Sequence, residues 1–265
     1  MDWEATPPYV EGIEDTQSLG DTRQLAIESV GIRGLRHPVT VADDGDVQHT
    51  VATVRLAVEL PPERRGTHLS RFVALLMEER TPLSAETLPA LLGNMAARLD
   101  AHTAEAEFVF PFFLKKHAPI SGVASYLDCE VRLFGRLAGG RTIVETDVTV
   151  PVTSLCPCSR EISRYGAHNQ RAHIRVAVQT AAPLSLAELI GTIEAEASAP
   201  LYALLKRADE KYLTERAYEN PKFVEDTVRD VALRLRGDER VSSFRVEAEN
   251  FESIHNHSAY AVITG

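Results

Sequence analysis

The chain has 265 residues, enough to bury a sizeable core as one large domain or as two of roughly 100–150 residues each. Its composition, 44% hydrophobic and 25% charged, is that of a globular protein and excludes wholesale disorder. Lys plus Arg number 28 against 38 Asp plus Glu, a formal net charge of −10, which argues against a nucleic-acid binder because phosphate neutralisation needs concentrated cations.

A local basic pocket for a small anion remains compatible with that acidity. No apolar run approaches the ~20 residues that span a bilayer, so no membrane association is expected. Residues 1–22 are rich in Asp, Glu, Pro and Gly without periodicity and read as a mobile arm; they lack the basic and apolar regions of a signal peptide. Three cysteines, Cys129, Cys156 and Cys158, do not suit a disulfide framework and point to a reducing cytoplasm.

Alternation of apolar and polar residues predicts strands over 24–36 and 47–60, the second stopped by Pro61-Pro62. The period then changes. Leu69, Phe72, Val73, Leu75, Leu76 and Met77 form a helical stripe over 67–80, with Thr67 or Ser70 as the candidate cap, and a second helix runs from about 84 to 99. Strands follow over 104–114, 122–136 and 141–152, the last two joined by a Gly139-Gly140 hairpin turn, and then over 171–180. Ser185 and Glu188 mark a capping box opening a helix over 185–197. Helices are predicted around 200–208 and, after Pro221, over 222–236; strands over 241–249 and 258–264 close the chain. The order is β-β-α-α-β-β twice, which predicts an α+β fold: antiparallel sheets with helices on one face.

Chemistry concentrates in Ser154 to His173, SLCPCSREISRYGAHNQRAH, between two strands. The C-x-C pair is not a zinc-ribbon spacing, so a single thiol is the candidate ligand or nucleophile; the bland alternative is two small buried residues. Gly166 permits a bend that returns His168 toward Cys156, whereas His173 reads as a core histidine. In ESIHNH, Glu252, His255 and His257 form a second cluster; on a strand the two histidines would share a side, and a solvated turn is the competing reading. Glu210 lies among exposed charges, and Glu225 lies in a first helical turn, where a carboxylate is favoured in any case. His68 and Arg71 sit at a helix start able to hold an anion. A thiolate, imidazoles and a carboxylate suit a divalent transition metal that activates water. The residues therefore point to a cytosolic metal-dependent hydrolase of an anionic small molecule.

The stretch VPVTSLCPCSREISRYGAHNQRAH, with GTHLSRF, NPKFVEDTVRD and ESIHNHSAYA, closely resembles the GTP cyclohydrolase I family, type IB, from about residue 24 onward. The resemblance implies a tunnelling fold (T-fold) with two modules, 23–140 and 141–265, the second carrying most of the metal site. It implies a homo-oligomer, a tetramer, with sites at subunit interfaces. Carried over by position, Cys156, His168, Glu210 and His255 are the implied metal ligands, for one Mn2+, Zn2+ or Fe2+ per site. Glu225 is the implied anchor, accepting hydrogen bonds from the N1–H and 2-amino group of guanine. Cys156, His168, Glu252 and His257 form the expected catalytic group, with His68 a further candidate for substrate contact or proton transfer. Arg71, Lys115, Lys116, Arg160 and Arg171 are the pool of cations for the triphosphate. The implied reaction opens tetrahydrofolate synthesis: water attacks C8 of GTP, formate leaves, and rearrangement gives 7,8-dihydroneopterin triphosphate. The rival readings are an iron(II) archaeal-type relative giving a cyclic phosphate, a T-fold nitrile reductase with a cysteine nucleophile, and a zinc-stabilised oligomeric binding protein.

Overall fold

The computed structural model describes Gln17 and residues 19–265. Most of the expected N-terminal arm, residues 1–16 and 18, lies outside the described residues. The described remainder lies along 63–67: Gly20 bridges Arg64, Asp21 N donates to Glu63 O at 2.9 Å, and Gln17 Nε2 donates to Thr67 O at 3.0 Å.

Strands β1 (Ile27–Asp43) and β2 (Asp46–Leu60) form a long hairpin. Strand β1 runs seven residues beyond the predicted end at 36, because 37–43 continue the ladder with 46–52. Pro38, which has no N–H to donate, is tolerated there because β1 is an edge strand. The turn is Asp44-Gly45, with φ of +45° and +83°, the left-handed pair that a two-residue hairpin requires. Helices α1 (Leu69–Glu78) and α2 (Leu88–Leu99) follow. The N-cap of α1 is His68, not Thr67 or Ser70, and it makes no side-chain capping bond.

Strands β3 (Ala104–His117), β4 (Ala124–Ala138) and β5 (Arg141–Leu155) come next, with Gly139 and Gly140 turning β4 into β5 as the sequence predicts. A short helix α3 (Pro157–Ile162) then precedes β6 (Asn169–Thr180). After α4 (Leu186–Ala195), the predicted 200–208 helix is absent. Ala199–Pro200 instead form β7, paired with Thr153 and Val152 of β5, and the helix α5 (Arg207–Glu219) starts only after an irregular stretch. Helix α6 (Val224–Arg236) and strands β8 (Val241–Asn250) and β9 (Ala259–Thr264) complete the chain.

Among the described residues the strands form one nine-stranded sheet in the order β1-β2-β3-β4-β5-β6-β8-β9, with β7 beside β5. Every neighbouring pair in it is antiparallel. Buried faces of α1, α2, α4 and α6 join one core with inward strand residues such as Phe108, Phe110, Val131, Ile174 and Val246. Gly135 on β4 is required by this packing: a Cβ there would come within 2.8 Å of Leu92 and 2.9 Å of Leu88 on α2. On the strands, side chains alternate to a second, charged surface, where Arg132 bonds Glu107 at 2.7 Å and Glu145 at 2.9 Å, and Arg175 bonds Asp147 at 2.6 Å.

Ser185 caps α4 as predicted, accepting from Glu188 N at 3.0 Å, but the Glu188 carboxylate pairs with Arg240 instead of closing the box. Asp43, at the tip of the first hairpin, adds a second cap, accepting from Leu186 N at 2.6 Å and Ala187 N at 3.0 Å. Burial pushes the Asp43 carboxyl up against the opposing pull of those two amides. The first hairpin is thereby fastened to the second half of the chain. Asp43→Ala is expected to lower stability by about 1–2 kcal/mol. Differential scanning calorimetry reads this as a fall in Tm, and an unchanged Tm would show that the hairpin tip does not support the helix.

Candidate metal and substrate site

The site begins where β5 and β6 end their shared ladder. Thr153, Ser154 and Leu155 pair with Arg171, Gln170 and Asn169, and Cys156 N donates to His168 O at 3.2 Å. Between Cys156 and His168 the chain leaves the sheet and returns. Pro157 supplies the first helical position of α3, where its missing N–H costs nothing. Gly166 has φ of +115°, which an L side chain rarely adopts, and it turns the chain back to the sheet.

Ser159 fastens the two ends. Its N–H donates to Cys156 Sγ at 3.4 Å, its hydroxyl donates to Cys156 O at 3.2 Å, and the same oxygen accepts from His168 N at 3.2 Å. His168 Nδ1 faces the Oε1 of the buried Gln170 at 3.0 Å, with Glu252 Oε2 at 3.9 Å. An amide oxygen only accepts, so this pairing puts the proton on Nδ1 and leaves Nε2 with an open lone pair. A ligating histidine is commonly held in this way by its other nitrogen. A thiol and such an imidazole at adjoining backbone positions suit Zn2+, Mn2+ or Fe2+.

Among the described residues no group of three or more His, Cys, Asp and Glu side chains is arranged to hold an ion. Cys156 and His168 come together, with Glu252 beside the imidazole; Glu210 and His255 do not join them within one chain. His255 and His257 are exposed in the connection between β8 and β9, not on a strand, and their rings stack with centroids 5.1 Å apart. Glu210 is exposed in the first turn of α5. Glu225 is exposed in the first turn of α6, which Lys222 N ties to β5 by donating to Leu155 O at 3.2 Å, next to Cys156.

His173 is exposed and packs edge-on against Phe251 at 4.9 Å, which corrects its reading as a core histidine. Of the candidate cations, Lys115 and Arg171 are exposed, and Arg160 lies over the Tyr218 ring at 4.8 Å. Arg71 is exposed on α1 and donates to Arg98 O at 3.3 Å, three residues after His68. Lys116 is the exception. It is buried, paired with Glu194, donates to Leu201 O at 2.6 Å and lies over the Tyr202 ring at 4.3 Å, so it is not free to meet phosphate. Burial, with the Glu194 carboxylate nearby, pushes the Cys129 thiol up to about 12, so that cysteine is chemically inert. Cys158, by contrast, is exposed in the first turn of α3.

The family model "Type I GTP cyclohydrolase folE2" matches residues 13–261. The chain belongs to this family. A GTP cyclohydrolase FolE2 of Burkholderia ambifaria strain MC40-6 is 56% identical over 258 residues, covering 97% of this chain and 95% of the relative. One from Paraburkholderia xenovorans strain LB400 is 55% identical, covering 97% and 96%. Among solved structures, a Bacillus sp. TB-90 urate oxidase mutant superposes with a TM-score of 0.54 at 7% identity, covering 90% of this chain and 99% of that one. Uricase from Arthrobacter globiformis gives 0.50 at 8%, covering 90% and 92%. At such identities the likeness is one of fold alone: this chain and these urate oxidases share an overall architecture, which here is an antiparallel sheet with helices. Within this FolE2 family member, sequence reasoning passed over Ser159, Gln170 and Asp209. The first two lie inside the motif; their value lay in hydrogen bonds that no spacing rule announces.

Proposed function

We propose that this chain hydrolyses and rearranges GTP to 7,8-dihydroneopterin triphosphate and formate, at the opening of tetrahydrofolate biosynthesis. What carries the reading is the FolE2 family match across residues 13–261. The closed Cys156–His168 loop gives it a chemical centre. The family match does not favour the cyclic-phosphate or nitrile-reductase readings.

In this proposal Cys156, His168, Glu210 and His255 hold one divalent ion, Mn2+, Zn2+ or Fe2+. Among the described residues of one chain these four do not form one cluster, and in this reading neighbouring subunits of a homotetramer complete the set. The T-fold modules are 23–140 and 141–265, and the enzyme works in the cytoplasm. Bound there, the ion supplies Lewis acidity and a water-derived nucleophile near neutral pH. The chain supplies everything else. Glu225 accepts from the N1–H and 2-amino group of guanine and sets C8 toward Cys156 and His168. Gln170 keeps His168 in one tautomer. Glu252, beside His168, is the first candidate to move protons at N7, the ribose ring oxygen and the ribose hydroxyls, with His257 and His68 as further candidates. Arg71, Lys115, Arg160 and Arg171 meet the triphosphate; Lys116 drops out of that pool.

The test is anaerobic incubation of metal-stripped protein with GTP and each of Mn2+, Zn2+ and Fe2+, following formate and pterin fluorescence. Turnover restored by metal, formate equal to GTP consumed, and a product retaining three phosphates are the expected results. Absence of formate with every ion overturns the proposal. The stripped protein should also keep its fold, because the core is complete without the site; unfolding on chelation would mark a structural ion. Glu225→Gln should weaken binding of a non-hydrolysed GTP analogue by about 10–100-fold, since the amide loses one acceptor and turns a donor toward the base. Isothermal titration reads this, and unchanged affinity removes the anchor role.

A further inference from the structure

Asp209 takes no part in the chemistry described above, yet its side chain is fully buried. Four donors converge on its carboxylate. Ile120 N and Ser121 N reach Oδ1, each at 2.8 Å; Ser121 Oγ reaches Oδ2 at 2.6 Å, and Lys206 N reaches it at 2.8 Å. Burial alone would raise its pKa, but these hydrogen bonds outweigh it and hold the carboxyl well below the usual range. Three of the donors belong to the turn between β3 and β4, 88 to 89 residues away in sequence, and the fourth to the start of α5.

A second fastening lies just upstream. Lys116, at the end of β3, holds Leu201 O and Glu194 and stacks on Tyr202. The irregular stretch 201–206 is therefore pinned at its first residues by β3 and at its last by the β3–β4 turn. Farther along, α5 contacts the rest of the molecule through a small apolar cluster, Ala217 and Leu213 with Leu155, Ala199 and Ala167, and through Tyr218 beneath Arg160. Its buried residues are only Asp209 and Ala217. The polar fastening thus sets where α5 begins, and Glu210 is the next residue after Asp209, on the exposed side of that first turn.

We propose that Asp209 is a positioning residue for Glu210, fixing the first turn of α5 to the β3–β4 turn so that the Glu210 carboxylate is presented to the metal at a set place. The proposal rests on the reading of Glu210 as a ligand. Its test is binding of Co2+ to the full-length, metal-stripped protein, followed by cobalt visible bands and the thiolate-to-cobalt absorption, for Asp209→Asn, Ser121→Ala, Glu210→Gln and the double variant D209N/E210Q. Ser121→Ala keeps the carboxylate and removes one donor, so it serves if Asp209→Asn folds poorly.

Asp209→Asn is expected to weaken Co2+ binding by about 10–100-fold, the usual cost of losing a group that orients a ligand. Ser121→Ala should weaken it a few-fold, and D209N should add nothing further in the E210Q background. A fall in Tm with unchanged Co2+ affinity in both Asp209→Asn and Ser121→Ala overturns the proposal, as does a full additional loss in the double variant. If Glu210→Gln weakens binding while Asp209→Asn does not, only the positioning role falls. If Glu210→Gln leaves affinity unchanged, the ligand reading itself falls and takes the positioning role with it.

Discussion

Cys156→Ala is expected to release no formate from GTP above background, a loss of about 1,000-fold or more, while the protein keeps its fold and assembly. In the proposed site Cys156 is the thiolate partner of His168, and the ion it helps to hold supplies the nucleophile; removing it removes the chemistry and not merely some affinity. Structurally the thiol contributes little. Cys156 is half-buried and its Sγ accepts one long hydrogen bond from Ser159 N, while the bonds that close the loop run through the backbone of Cys156 and the hydroxyl of Ser159. The stability cost is therefore about 1 kcal/mol or less. Cys158, exposed two residues later, is the internal comparison: Cys158→Ala should retain turnover. Formate release, pterin fluorescence and size-exclusion elution measure the three quantities. Turnover retained in Cys156→Ala would remove the metal-ligand role.

Local rules carried the sequence reading a long way along the sheet. Gly139-Gly140 and the Ser185 cap are each specified by a few neighbouring residues, and both stand. The extension of β1 past residue 36 was missed, although Asp44-Gly45 between two apolar-alternating runs is a hairpin signal. Helix α5 was not legible in this way. Its sequence, RADEKYLTERAYE, has almost no apolar stripe, because it is held through a buried carboxylate and an alanine instead of a row of large side chains. Asp209 looks like one more surface charge until a turn 88 residues away supplies its donors.

The site divides in the same way. Cys156 and His168 were legible as a pair because a positive-φ glycine and a strand ladder bring them together locally. Glu210 rested on resemblance alone and His255 on the ESIHNH cluster together with the resemblance; among the described residues of one chain neither joins that pair. His255 and His257 stack in a bend, so the strand parity that would have put them on one side never applied. For Lys116 the needed signal was present. Ala104, Ala106, Phe108, Phe110 and Phe112 are the buried positions of β3, and 116 shares their parity, so alternation alone places that lysine on the core face.

That placement makes Lys116→Met a test of stability and not of phosphate binding. Replacing the lysine leaves the Glu194 carboxylate buried with no cation, and breaking a buried pair by removing one partner costs about 3–5 kcal/mol. The Leu201 carbonyl loses its donor as well. Adding Glu194→Leu should recover much of the loss, because apolar side chains of similar volume replace the whole pair. The effect has a definite dependence on pH. Burial already pushes the Glu194 carboxyl above its usual range, against the pull of Lys116, and removing that lysine raises it further. An acid whose folded pKa is raised contributes its stability at low pH and loses it as pH rises through the folded value. Lys116→Met should therefore fall farthest below the parent at pH 8 and approach it as the pH is lowered and Glu194 takes up a proton. Urea or thermal unfolding across that range measures the gap. In the folded fraction the affinity for a GTP analogue should stay near that of the parent; a variant as stable as the parent but with affinity reduced tenfold would return Lys116 to the triphosphate.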